Sequence, residues 1–237
     1  MRPDQASILV VDDELELLEI FSAWLGRSGY RVFTAPNGAE ALKVLRTQKV
    51  DVILSDIRMP VMDGVTLVRN LNQMESPLPK IIFVTGYGNF SRREILAMGV
   101  EALLDKPLSR PILLHTIDQS LMQCEDKWLT PSPEPAAQRV ALEMEGLEKA
   151  TAACAFTLGR GGCCVACDLP LKEGMQIDLS VRFAQEGLSL EAQGTVVWVD
   201  AEQGKVGIAF DYLHPQCRSW VLARINSQNP RSFVPQC

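Results

Sequence analysis

Acidic residues, a threonine and a lysine stand where short apolar runs end in the first half of the chain. Asp12 and Asp13 follow one run and Asp56 another, while Thr85 and Lys106 follow two more. Three carboxylates brought together repel each other and need a counter-charge, which a divalent cation such as Mg²⁺ and Lys106 can provide. One carboxylate can then attack a phosphoryl donor in line and become an aspartyl phosphate. The threonine hydroxyl and the lysine ammonium can hold the phosphate oxygens.

The apolar runs themselves predict strands. They are rich in β-branched and aliphatic residues and alternate with segments of helical periodicity, which favours an α/β doubly wound, five-stranded parallel sheet with helices on both faces. Ligands bind such sheets at the carboxyl ends of the strands, so the five polar side chains should converge. The predicted strands cover residues 8–12, 31–35, 51–56, 80–86 and 102–105.

Each of these polar residues also has an ordinary structural interpretation. Asp12 or Asp13 suits a helix N-cap, Asp63 with Gly64 suits a turn, and Lys106 before a proline suits a solvated loop. Their joint occurrence at strand ends favours the functional interpretation.

A proline-rich stretch divides the chain. A last helical segment, from Ser109 to about Gln123, runs into LTPSPEPAAQ, which contains three prolines. We predict a first domain over residues 1–126, a linker over 127–138, a second domain over 139–226 and a tail over 227–237.

The second half has strand signals without helices between them. The runs RVALEME, TAACAFTL, GCCVACD, MQIDLSVRF, LSLEAQGTVVWV and KVGIAF are separated by glycines, which is typical of a small antiparallel β-barrel. The segment 214–225 predicts a closing helix with Trp220, Val221 and Ile225 on one side. Cys163, Cys164 and Cys167 lie in one strand run on alternating faces, which favours thiols that fill the core over a zinc site.

Composition limits compartment and partners. Seven cysteines, an odd number, suit a reducing compartment with free thiols, and no apolar run reaches the length that a bilayer needs. The start of the chain lacks the features of a secretion signal, so we expect a cytoplasmic protein without membrane insertion. Residues 1–126 carry 13 Lys and Arg against 17 Asp and Glu, and residues 127–237 carry 10 against 12. Neither half is basic, so we expect no DNA binding.

The first half resembles the receiver domain of two-component response regulators. The strings ILVVDDE, ILSDIRMPVMDG, FVTGYG and LLDKP carry the resemblance over roughly residues 6–124. It implies a flavodoxin-like sheet of strand order 2-1-3-4-5 and a histidine kinase as phosphoryl donor. The implied roles are Asp56 as phosphoacceptor, Thr85 and Lys106 on the phosphate, and Mg²⁺ held by Asp13, Asp56, the carbonyl of Arg58 and, through water, Asp12.

One position departs from the receiver pattern. Receivers usually carry a Tyr or Phe three residues before the lysine, and here Leu103 stands there. We expect the phosphorylation chemistry to be unaffected by this change. The usual switch depends on the rotamer of an aromatic side chain, which is missing here, and Tyr87 is a candidate substitute.

The second half resembles a PilZ domain, the barrel that binds cyclic di-GMP in many bacterial proteins, over roughly residues 139–226. GRGGCCV, LKEGMQIDLSV and GTVVWV before VGIAF carry this resemblance. The ligand motifs are eroded: Arg139 fits the second of two arginines but Pro135 replaces the first, and residues 157–162 keep only Gly162. Arg160 is a candidate partial replacement.

The resemblances imply a response regulator of a phosphorelay whose PilZ-like domain acts by protein interaction. The alternative is a cyclic di-GMP effector, with Arg139, Arg160 and Gly162 as candidate contacts, whose nucleotide binding is modulated by receiver phosphorylation. We expect no enzyme activity beyond self-phosphorylation from a donor, and we favour a homodimer.

Overall fold

A computed structural model of the chain describes residues 6–74, 78–86, 91–122, 126–131, 136–228, 230 and 232–235. The chain divides into two compact units, Met1–Ser91 with Val100–Gln123, and Arg92–Gly99 with Cys124–Cys237. The predicted domain ranges differ from these units at residues 92–99. Within the described part, no helix is long and apolar enough to cross a membrane.

The first unit contains a five-stranded, all-parallel sheet of order β2-β1-β3-β4-β5. This confirms the predicted doubly wound fold. Its strands are β1 (Ser7–Val11), β2 (Arg31–Ala35), β3 (Val52–Asp56), β4 (Lys80–Thr85) and β5 (Val100–Asp105). Its helices are α1 (Leu15–Gly26), α2 (Gly38–Thr47), α3 (Gly64–Leu71) and α5 (Arg110–Leu121).

Burial explains why these segments form a central sheet. Every residue of β1 and of β3 is buried, as expected for strands covered by helices on both faces. Helix α1 buries Leu18, Phe21 and Leu25, whose spacing places them on one face of the helix.

Helices α2 and α3 each begin at a side-chain cap. The carboxamide oxygen of Asn37 accepts a hydrogen bond from the Glu40 amide at 3.0 Å, and a carboxylate oxygen of Asp63 accepts from the Thr66 amide at 2.7 Å. Both are side-chain N-caps, so the structural interpretation holds for Asp63.

The second unit contains a curled six-stranded sheet of order β6-β9-β10-β11-β8-β7. Its strands are β6 (Gln138–Met144), β7 (Phe156–Leu158), β8 (Gly162–Ala166), β9 (Gln176–Phe183), β10 (Leu188–Asp200) and β11 (Lys205–Leu213). Its helices are α4 (Arg92–Ala97), α6 (Leu147–Ala152) and α7 (Pro215–Gln228). The PilZ-like barrel architecture is confirmed, although β6 pairs with β9 in parallel while the other pairs are antiparallel.

Alternating burial builds the interior of this sheet. In β9, Ile177, Leu179, Val181 and Phe183 are buried and alternate with more exposed residues. Helix α7 adds an apolar face of Cys217, Val221 and Ile225. Its Trp220 is partly buried against this core, and its indole N–H donates to the Ser189 carbonyl at 3.0 Å.

The strand predicted over residues 151–158 was wrong. Residues 151–158 do not form one strand, because Thr151 and Ala152 end helix α6 and only Phe156–Leu158 are extended. The helix buries Leu147 and Ala150, and alanine favours helix, so tertiary packing and propensity act together here.

The cysteines were expected to be free thiols, and this fails at one position. Cys154, Cys163, Cys167 and Cys217 are free, whereas Cys164 is disulfide-bonded. Cys163 packs in the barrel core, and its complete burial raises the pKa of its thiol well above the usual range. Cys164 packs in a separate cluster with Trp198, so adjacent cysteines occupy opposite faces of the sheet.

Gly64 provides a test of how closely β3 and α3 approach. A Cβ at Gly64 would collide with the carbonyl oxygen of Asp56 and lie 2.9 Å from Cε1 of Phe83. We predict that Gly64→Ala lowers the opening free energy of the β3 amides, measured by hydrogen exchange, by about 1–3 kcal/mol. A Cβ at Gly26 would meet no neighbour within 4 Å in the described residues. Gly26→Ala is therefore the control and should leave that free energy unchanged or raised.

Candidate functional site

The carboxyl edge of the first sheet brings three carboxylates together. Strands β1 and β3 are neighbours in register, with Val11 paired to Ser55, so Asp12 follows β1 beside the point where Asp56 ends β3. Asp12, Asp13 and Asp56 can each offer one oxygen, and these oxygens lie within 4.8 Å of one another. Asp12 and Asp56 are largely buried, whereas Asp13 is exposed.

Lys106 supplies the counter-charge. Its Nζ lies 3.0 Å from Oδ2 of Asp12, 3.3 Å from Oδ2 of Asp56 and 3.4 Å from Oε1 of the exposed Glu14. The backbone amide of Lys106 donates to the Thr85 carbonyl at 2.8 Å, which fixes the start of the loop after β5 against β4. The lysine therefore reaches the carboxylates from the end of β5, with β4 between β5 and β3.

Burial and charge perturb both members of this ion pair. Burial raises the pKa of Asp12, and the nearby charge of Asp56 acts in the same direction, against hydrogen bonds from the Glu14 amide and from Lys106. Burial alone would lower the pKa of Lys106, but its hydrogen bond to Asp12 and the charges of Asp12 and Asp56 outweigh it and raise the pKa. The lysine is therefore held protonated, and its single positive charge faces more than one carboxylate.

The remaining predicted residues lie around this cluster. Thr85 ends β4, is 5% exposed and pairs with Asp105 across the sheet. Oδ1 of Asp56 accepts a hydrogen bond from the Ile57 amide at 2.6 Å, which orients the carboxylate. Arg58 is the next residue and is exposed.

The loop after Asp56 contains a feature that the sequence did not reveal. Val61 has φ of 69°, and the Met62 amide donates to the Pro60 carbonyl at 2.7 Å, which makes a tight γ-turn. A β-branched residue rarely adopts this left-handed conformation. The Met62 carbonyl accepts from the Gly38 amide at 3.0 Å, so α2 helps to hold the turn beside the site.

The carboxylate cluster fits a hard divalent cation. Oxygens on opposite sides of an octahedral Mg²⁺ lie about 4.2 Å apart. The 4.8 Å limit on the spacing of the three oxygens suits one ion held directly by some carboxylates and through water by another. No other group of three His, Cys, Asp or Glu side chains with this proximity occurs in the part of the chain that the structure describes.

An apolar pocket of about 490 Å³ opens beside Lys106. It is lined on one side by α1 and on the other by the loop after β5, and Ile20 at its rim is 41% exposed. The lining residues are Glu14, Leu17, Ile20, Phe21, Trp24, Gly86, Lys106, Pro107 and Leu108.

The candidate nucleotide contacts of the second half have separate surroundings. Arg139, the second residue of β6, pairs with Asp178 of β9 and lines a groove of about 240 Å³ that also contains Glu191. Arg160 donates from Nη2 to the Gly99 carbonyl at 2.6 Å. Gly162 allows close strand pairing, because a Cβ there would collide with the Ile208 carbonyl oxygen.

The position at which receivers usually carry an aromatic residue lies within β5. Leu103 lies in β5, paired with Phe83 of β4, and is partly exposed. Tyr87 and Pro135 lie outside the described residues.

Comparison with known families matches both halves of the chain. Residues 8–118 match the response regulator receiver domain, and residues 141–225 match the PilZ domain. The first match contains the carboxylate cluster and Lys106, and the second contains the whole six-stranded sheet except the start of β6.

Individual relatives match the first half. The transcriptional regulatory protein GlrR of Escherichia coli is 35% identical over 133 residues, which cover 54% of this chain and 30% of that protein. The alkaline phosphatase synthesis transcriptional regulatory protein PhoP of Bacillus subtilis is 36% identical over 102 residues, which cover 43% of this chain and 42% of that protein. The chain thus spans less than half the length of these curated relatives. The solved chemotaxis response regulator CheY4 of Vibrio cholerae is 32% identical with a TM-score of 0.46, covering 49% of this chain and 98% of that one.

The ion pair at the sheet edge predicts a response to Mg²⁺. In Mg²⁺-free buffer, Lys106→Met should lower the opening free energy of the β1 and β3 amides by about 1–3 kcal/mol, because partly buried carboxylates lose their counter-charge. Added Mg²⁺ should restore more of this free energy in Lys106→Met than it adds to the parent chain. Hydrogen exchange with and without Mg²⁺ measures both effects.

Lys43→Met is the matched control for this experiment. The Lys43 side chain is 68% exposed and pairs with Glu40 on the surface of α2, so its loss should have little effect. An equal response of the two variants to Mg²⁺ would contradict the assignment of Lys106 as the counter-charge.

Proposed function

Since the chain carries a response regulator receiver domain followed by a PilZ domain, we propose that Asp56 accepts a phosphoryl group from a histidine kinase and that the PilZ domain passes this signal on by protein interaction. The observation that carries the proposal is the meeting of Asp12, Asp13 and Asp56 around the ammonium group of Lys106. This arrangement combines a nucleophilic carboxylate with positive charge for the incoming phosphate.

The proposed reaction transfers one phosphoryl group. A carboxylate oxygen of Asp56 forms a bond to phosphorus as the bond from phosphorus to the donor's imidazole nitrogen breaks, and the imidazole retains that electron pair. Lys106, 3.3 Å from Asp56, stabilises the charge on the phosphate oxygens, and the Thr85 hydroxyl donates a hydrogen bond to one of them.

The proposal includes a resident Mg²⁺, which neutralises charge on the donor's phosphate when bound. Asp13 and Asp56 would hold it directly with the carbonyl of Arg58, and Asp12 would hold it through water. The charge argument supports this assignment, because burial raises the pKa of Asp12 even with Lys106 in contact.

The apolar pocket beside Lys106 supports docking of a protein donor. A histidine side chain on a helix needs neighbouring apolar contacts to hold its imidazole in line with Asp56. Leu17, Ile20 and Trp24 offer such contacts along α1. The exposed Leu15, which is 69% accessible, extends the apolar surface of this helix.

The wider assignments belong to the same proposal. We infer a receiver over residues 1–126, a linker over 127–138, a PilZ domain over 139–226 and a tail over 227–237. We further propose a non-enzymatic signalling role in the cytoplasm and self-association as a homodimer. The acidic character of both halves supports the absence of DNA binding.

Replacement of the phosphoacceptor tests the proposal directly. With Mg²⁺ and acetyl phosphate, the parent chain should incorporate one base-labile acyl phosphate, and Asp56→Asn should incorporate none because an amide is not a competent nucleophile. Intact-mass analysis measures the uptake. Asp105→Asn, which alters an exposed carboxylate at the same sheet edge, should behave as the parent. Full uptake by Asp56→Asn would remove the basis for the proposal.

Cyclic di-GMP binding is a second candidate, which the PilZ match favours. The surroundings of the candidate residues oppose it. Asp178 and Glu191 share the groove with Arg139, where their charges repel a phosphate, and the guanidinium of Arg160 already donates to a backbone carbonyl. Protein interaction is therefore the preferred output.

Calorimetric titration separates the two outputs. We expect no saturable binding of cyclic di-GMP to the full chain at a Kd below about 1 μM, because eroded motif positions each remove a contact of about 1.5–3 kcal/mol. Asp178→Asn should strengthen any residual binding by reducing repulsion near Arg139. Tight, stoichiometric binding to the parent chain would instead establish the nucleotide effector.

A further inference from the structure

A C-terminal segment, Ser232–Pro235, lies along the loop between β7 and β8. The backbone amide of Arg160 donates to the Ser232 carbonyl, and that of Gly161 donates to the Phe233 carbonyl, both at 2.9 Å. Two consecutive loop amides are thus satisfied by two consecutive carbonyls of the segment. The loop therefore binds the backbone of the segment directly through main-chain hydrogen bonds.

The loop is shaped to this segment. A Cβ at Gly161 would collide with the ring of Phe233, and one at Gly159 would lie 2.5 Å from the Phe233 carbonyl oxygen and 2.8 Å from Cδ of Pro235. Any larger residue at either glycine would displace the segment. The two glycines therefore create a backbone cradle into which an aromatic side chain and a proline fit.

Apolar burial adds to the backbone contacts. Val234 is fully buried and packs with Cys164 and Trp198, with Phe233 partly buried against the same cluster. Removing these apolar side chains from water stabilises the packed position of the segment. The segment is therefore packed against the second unit, with Val234 fully buried.

The segment also forms hydrogen bonds with helix α4 of the same unit. The Phe233 amide donates to the Leu96 carbonyl at 3.1 Å, and the Ser232 hydroxyl donates to the Ala97 carbonyl at 2.9 Å. Helix α4 and the β7–β8 loop thus hold the segment from two sides. A peptide that lacked the serine hydroxyl or the backbone amide would lose one of these contacts.

We propose that the β7–β8 loop and the Trp198 cluster form a docking site for a Ser-Phe-Val-Pro segment, occupied here by the chain's own residues 232–235. The occupant is tethered to the end of α7 at Gln228 by only a few residues, so its effective concentration at the site is high. The unit therefore carries a peptide site that is closed by its own tail and opens when the tail is removed or displaced. The inference is independent of phosphorylation at Asp56.

The test uses the chain truncated after Gln228 and a fluorescent peptide of residues 229–237 with Cys237→Ser. The truncated chain should bind the peptide saturably in an anisotropy titration. The intact chain should bind it at least about tenfold more weakly, because its own tail competes. A Phe233→Ala peptide should also bind at least about tenfold more weakly, because it loses a large apolar contact. Equal binding of the two peptides, or no binding by a folded truncated chain, would overturn the proposal.

A full-length variant covers the case in which truncation unfolds the unit. In Phe233→Ala, hydrogen exchange at the Arg160 and Gly161 amides should be at least about tenfold faster, while the amides of β9 exchange as in the parent. Unchanged exchange at Arg160 and Gly161 would refute the docking role of Phe233, whatever the phosphorylation experiments give.

Discussion

The ammonium group of Lys106 contacts two carboxylates, Asp12 and Asp56, which the order of the parallel strands brings together. Strands β1 and β3 are adjacent and in register, so the residues that follow them, Asp12 and Asp56, meet at the sheet edge. Partly buried like charges at this separation repel strongly. The backbone amide of the lysine is hydrogen-bonded to the Thr85 carbonyl of the neighbouring strand, which helps to position its side chain beside them. The fold therefore stabilises a site with an affinity for positive charge and for anions that arrive with a cation.

Close backbone approach is the corresponding constraint in the second unit. The indole of Trp198 packs where Gly207 has no side chain, and Gly162 lets β8 lie against the Ile208 carbonyl. Arg93 stacks on the Trp198 ring at 4.9 Å from its centroid and forms an ion pair with Asp200. The outer face of β10 is thereby covered by α4 and the C-terminal segment of the same unit. The polar groove around Arg139 lies open on the same sheet.

The first unit's strands could be predicted from the sequence because buried parallel strands leave a strong signal, and the meeting of the polar residues at their ends follows from the sheet order. Prediction from the sequence failed where long-range contacts decide local structure. Residues 147–152 are helical because Leu147 and Ala150 reach the barrel core. The parallel pairing of β6 with β9 and the γ-turn at Val61 also have no local signature. The role of Gly159 and Gly161 appears only when the distant segment 232–235 is in place.

The occupied β7–β8 loop bears on the choice between a nucleotide and a protein as the partner of the second unit. Each backbone amide donates one strong hydrogen bond, and those of Arg160 and Gly161 already donate to the C-terminal segment. A phosphate that used them would have to displace this segment and expose Val234 and Phe233. At about 1.5 kcal/mol or more for each side chain, this lowers nucleotide affinity by about a hundredfold. A partner that bound the groove around Arg139 would leave the segment in place.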